Sequence, residues 1–73
     1  MEYEPTRYVW EQVAEAVAAE ISSGKLPKGA RLPGVANMAA QYGVAPATAR
    51  RAVRELRERG LVKTLPNKGT FVL

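Results

Sequence analysis

The chain has 73 residues, enough for one small domain with a modest core. It has neither cysteine nor histidine, which excludes disulfides and thiolate metal sites, removes the commonest general base and makes an enzyme the least expected reading. From Gly24 onward ten of the eleven bases are accompanied by only two of the seven acids, a net of +8 within a total of +4, so a polyanion is the expected partner.

Taken in order, Met1–Pro5 are expected to fray, and MEYEPTRY does not read as a signal peptide. A helix is expected from near Thr6, as its N-cap, to Gly24, which suits a left-handed stop. Val9, Val13, Val17 and Ile21, with Trp10 and Ala14 beside them, recur at three- and four-residue steps and make its buried stripe. Glu11, Glu15 and Glu20 line its polar side and would repel phosphate, so this helix is expected to face away from a nucleic acid. Lys25–Pro33 reads as a connector in which Ala30-Arg31-Leu32 forms a short strand ended by Pro33. No apolar run is long enough to span a bilayer, so no membrane is expected and a cytoplasmic protein is.

The next helix sets Val35, Met38, Ala39 and Tyr42 on one face, with Gly34 at its cap position and Gly43 supplying a left-handed turn. A third helix is expected over Pro46–Arg59. Pro46 sits in its first turn, Ala49, Ala52, Val53 and Leu56 form its buried stripe, and Gly60 closes it. At about 100° per residue, Ala47, Arg51, Arg54 and Glu58 point away from that stripe, flanked by Arg50 and Arg57. Leu61–Leu65, the tip Pro66-Asn67-Lys68-Gly69 and Thr70–Leu73 read as a β-hairpin, with Leu61 and Phe71 expected inside and Lys63 outside. The fold class is therefore mainly α with a small β-hairpin: a three-helix winged helix-turn-helix, one domain over residues 1–73, organised around Val35–Gly60.

These segments resemble the DNA-binding domain of GntR-type bacterial transcriptional regulators. The resemblance rests on WEQV (10–13), ISSGKLPKGARLP (21–33), GVAPATARRAV (43–53), RELRERGLV (54–62) and NKGTFVL (67–73), and so covers almost the whole chain. It implies three helices with a two-stranded wing and operator-specific binding of double-stranded DNA as a homodimer on a palindromic site, most often as a repressor. It also implies an effector-binding and dimerising domain beyond the wing, and a small-molecule effector only if that domain exists outside this chain. Thr48, Arg50 and the wing glycine Gly69 match positions of the family pattern, with Lys68 beside Gly69. Three positions depart from it: Gly34-Val35-Ala36 stands where Ser-Glu-Arg is expected, Ala45-Pro46 replaces Ser-Arg, and Ala49 replaces Val. Two arginines that read bases in the family are thus missing, and a different operator is expected.

On this reading the third helix enters the major groove N-terminus first. Arg50 is the expected base reader and Arg51 the second; an arginine pairs with guanine O6 and N7. Arg54 binds phosphate or pairs with Glu58. Thr48 donates to DNA or caps its own helix, while Ala47 offers an apolar contact such as to a thymine methyl. Asn67, Lys68 and Gly69 form a basic tip that follows a phosphate strand or enters a minor groove. Arg31, with Lys28, is a candidate backbone contact, and Arg57 and Arg59 are expected to be merely solvated. The alternative is a winged-helix module that turns the same basic face to an acidic protein. An RNA-binding module is disfavoured because no exposed aromatic platform is evident.

Overall fold

Helix α3 (Pro46–Glu58) is the element on which α1 (Val9–Ser22), α2 (Val35–Tyr42) and strand β1 (Val62–Leu65) all pack. The structure, a computed structural model, describes all 73 residues. Strand β2 (Gly69–Val72) pairs antiparallel with β1 in the register Val62↔Val72, Lys63↔Phe71, Thr64↔Thr70 and Leu65↔Gly69. No helix is long and apolar enough to cross a membrane.

The helix bounds follow from local signals. Gly43 (φ 66°) takes the left-handed conformation after α2, and the Val44 N–H reaches back to the Ala39 carbonyl at 3.0 Å. Gly60 ends α3 in the same way, the Leu61 N–H bonding the Leu56 carbonyl at 3.0 Å. One core results, with Val13, Ala14 and Val17 from α1, Met38, Ala39 and Tyr42 from α2, and Ala49, Ala52, Val53 and Leu56 from α3. Leu32, Val62 and Val72 close it from the connector and the wing.

Helix α1 begins at Val9 and not near Thr6, because a different residue organises the entry. The buried Gln12 side chain donates to the Glu4 carbonyl at 2.8 Å and accepts from the Glu4 N–H at 2.7 Å. The Thr6 hydroxyl is spent on Glu4 Oε1 at 2.8 Å, and Tyr8 is the N-cap residue, with no side-chain cap. The expected fraying does not extend to Tyr3 and Glu4. The Tyr3 hydroxyl donates to the Tyr42 carbonyl at 2.6 Å, strapping the N-terminus to the end of α2.

The hairpin phase also departs from expectation. Val62 and Val72 face each other on the buried side, and Lys63 shares the opposite face with Phe71. The expected short strand is a single bridge, Arg31↔Phe71. The Leu32 N–H donates to the Thr70 carbonyl (2.8 Å), and the Val72 N–H to the Ala30 carbonyl (2.9 Å). Strand β2 is therefore held on both edges.

Two substitutions test this account in urea denaturation. Leu56→Ala, at a site with no solvent exposure, is expected to cost about 2–5 kcal/mol. Tyr3→Phe removes only the strap and is expected to cost about 0.5–1.5 kcal/mol. A Leu56→Ala cost below the Tyr3→Phe cost contradicts the core assignment.

Candidate nucleic-acid interface

The exposed side of α3 starts at an open helix end. Ala45 at the N-cap supplies no side-chain cap, and Thr48, half-buried, does not cap its own helix either. Pro46, Ala47, Arg50, Arg54 and Arg57 are exposed along this side.

The guanidiniums fall into two sets. Four are ion-paired. Arg7 bonds Glu11 at 2.6 Å and also Glu15, which raises the pKa of its guanidinium. Arg54 lies 3.5 Å from Glu58, the alternative foreseen for it. Glu55 takes both Arg59, at 2.9 Å, and Arg51, at 3.5 Å. The hydrogen bond from Arg59 does most to hold the Glu55 carboxyl below the usual carboxylate range, with Arg51 adding to it.

Arg51 does not point directly away from the buried stripe as expected. Its guanidinium carbon sits 3.7 Å from the centroid of the Trp10 ring, a cation–π contact. Trp10 in turn stacks on Tyr8, with ring centroids 5.8 Å apart and planes 19° from parallel. Sequence reasoning found no aromatic platform. One exists at the start of α1, and Arg51 takes up a face of its Trp10 ring.

The second set is Arg31, Arg50 and Arg57. None has a carboxylate partner, and all three line one cleft of about 290 Å³ between the wing, the start of α2 and α3. Arg57, expected to be merely solvated, is a residue the sequence reading missed. Its Nη1 donates to Thr64 Oγ1 at 2.9 Å, and that oxygen lies 2.9 Å from Thr70 Oγ1 across the hairpin. The available signal was its spacing, since a residue seven after Arg50 returns to the same helix face. On the wing side, Arg31 lies over Gly69. A Cβ at Gly69 would come within 2.7 Å of Arg31 Nε, and its φ of 126° is itself a glycine conformation.

The tip extends beyond the cleft. Pro66 and Asn67 turn the chain, Asn67 left-handed at φ 65°, and the Lys68 N–H closes the turn on the Leu65 carbonyl at 3.0 Å. Asn67 and Lys68 are exposed. Of the candidate residues, then, Arg31, Arg50 and Gly69 come together around the cleft. Asn67 and Lys68 stand at its outer end on the wing, and Ala47 and Thr48 lie in the first turn of α3. Arg51 and Arg54 are tied to carboxylates.

Known proteins share this fold. The sequence pattern of the gntR family of bacterial regulatory proteins matches residues 10–72. The HTH-type transcriptional regulator Rv1152 of Mycobacterium tuberculosis is 41% identical over 64 residues, covering 88% of this chain and 53% of that protein. The histidine utilization repressor of Klebsiella aerogenes is 40% identical over 63 residues, 86% of this chain and 26% of that protein. The chain thus spans about half of the first relative and about a quarter of the second. Among solved structures, the DNA-binding domain of AraR in complex with operator ORR3 superposes with a TM-score of 0.83 at 31% identity, over 88% of this chain and 77% of that one. The chain belongs to the GntR family of bacterial transcriptional regulators, with the winged helix-turn-helix of their DNA-binding domains.

Proposed function

We propose that this chain reads an operator in double-stranded DNA with the first two turns of α3 in the major groove. Arg50 reads bases, and the tip at 66–69 rests on the neighbouring backbone or minor groove. The observation that carries this reading is that Arg50 is the one arginine of those two turns without a carboxylate partner; Arg51 is held by Glu55 and Trp10. An unpaired guanidinium reaches guanine without first breaking an ion pair, whereas Arg51 would lose one and a ring contact. Thr48 and Ala47 sit beside Arg50 as lesser contacts, and Lys68 with Asn67 supplies the backbone anchor. The similar AraR domain is seen in complex with an operator, which supports DNA as the partner, and the relative named as a repressor favours repression. Binding as a dimer would set two half-sites about one helical turn apart.

Titration with random duplex DNA tests the electrostatic part. Neutralising about five phosphates gives a log–log salt slope near −4 to −5; a slope near zero refutes DNA binding and leaves an acidic protein as the partner. An operator selected from a random pool tests the roles. Arg50→Ala is expected to flatten preference at one base pair by about 1–3 kcal/mol. Lys68→Ala is expected to weaken all sequences alike and reduce the slope by about 1, and Arg51→Ala to leave the preferred sequence unchanged. Uniform loss in both Arg50→Ala and Lys68→Ala overturns the division between reader and anchor.

A further inference from the structure

The cleft between wing and α3 has a use that the base-reading helix and the wing tip do not account for. Of seven arginines, the four outside it are all ion-paired and the three lining it are not. Two of these three lie behind Arg50, on separate elements: Arg31 on the connector and Arg57 in the last turn of α3. Two threonine hydroxyls, Thr64 and Thr70, join them at the wing. The remaining wall is the start of α2, where Gly34 supplies no side-chain cap. Unpaired guanidiniums beside hydroxyl donors, with no carboxylate in the lining, make a seat for a tetrahedral oxyanion.

We infer that Arg31 and Arg57 jointly hold one backbone phosphodiester of the DNA in this cleft, a contact that rests on the DNA-binding reading above. The start of α2 carries no charged side chain at Gly34, Val35 or Ala36. Arg57 and Arg31 bring positive charge to the same region from the other two walls. Arg57 moves from Thr64 Oγ1 to the phosphate, and the hydroxyl it leaves remains as a second donor. Arg50, two turns before Arg57 on α3, stays free for the bases.

The test compares salt slopes on one random duplex for the wild type, Arg31→Ala, Arg57→Ala, the double variant, Thr64→Ala and Arg59→Ala, with thermal unfolding confirming that each is folded. A shared seat for one phosphate predicts that the double variant flattens the slope by about 0.9, the value for one phosphate, with each single variant at or below that loss. Arg59→Ala is expected to keep the wild-type slope, because its guanidinium is bound to Glu55, whereas Thr64→Ala, which removes a donor of the seat but no charge, is expected to weaken binding at every salt concentration without flattening the slope. A loss of about 1.8 in the double variant means two separate phosphates and overturns the shared seat. A loss in Thr64→Ala equal to that in Arg57→Ala makes Arg57 a strut of the wing and also overturns it. Unchanged slopes in all variants refute the seat while leaving DNA binding intact; a wild type with no salt dependence refutes both.

Discussion

The close approach of α1 to α3 is the constraint on which the rest of the molecule depends. Ala14 on α1, and Ala49 and Ala52 on α3, have no solvent exposure. With small side chains at these positions the two helix axes come close, and any added methylenes would push them apart. That approach brings Trp10, in the first turn of α1, over Arg51. It also leaves the other flanks of α3 for α2 and β1. A helix of 13 residues thus serves three neighbours with four buried residues and keeps its other side for solvent.

On that exposed side, the arrangement of charge matters more than its amount. Surface ion pairs contribute little stability, about 0–1 kcal/mol each, so Glu55 and Glu58 are not explained as staples. Their effect is to assign partners. Glu55 occupies Arg51 and Arg59, Glu58 occupies Arg54, and the guanidiniums left over converge on the groove beside the wing.

Much of this was legible in the sequence, and the failures share a cause. The bounds of α2, the buried stripe of α3 and the hairpin were readable because each is a local signal: apolar periodicity, a left-handed glycine, a proline in a first turn. The order of the arginines was not. Arg51 and Arg57 lie toward opposite margins of the exposed arc, and a helical wheel does not say which element stands beside each margin. Trp10 stands by one and Thr64 by the other. The strand phase failed for a similar reason. Leu61 and Phe71 are the larger apolar residues, but the register of the turn sets Val62 opposite Val72. At the N-terminus a hydroxyl was expected to start α1, while a buried glutamine eight residues away from Glu4 fixes the chain through its side-chain amide.

The backbone bonds from the connector to β2 carry a mechanical consequence. Arg31 is bridged to Phe71 on one side and, in the chain, stands three residues before Gly34 and the first turn of α2. A wing that swung on its own would have to break the bonds at Leu32 and Val72 or drag the start of α2 along with it. Hairpin and helix-turn-helix are therefore coupled through these bonds, and only the three-residue tip at 66–68 lies outside the paired strands. When such a body closes on a duplex of the wrong width or curvature, the duplex must deform to fit.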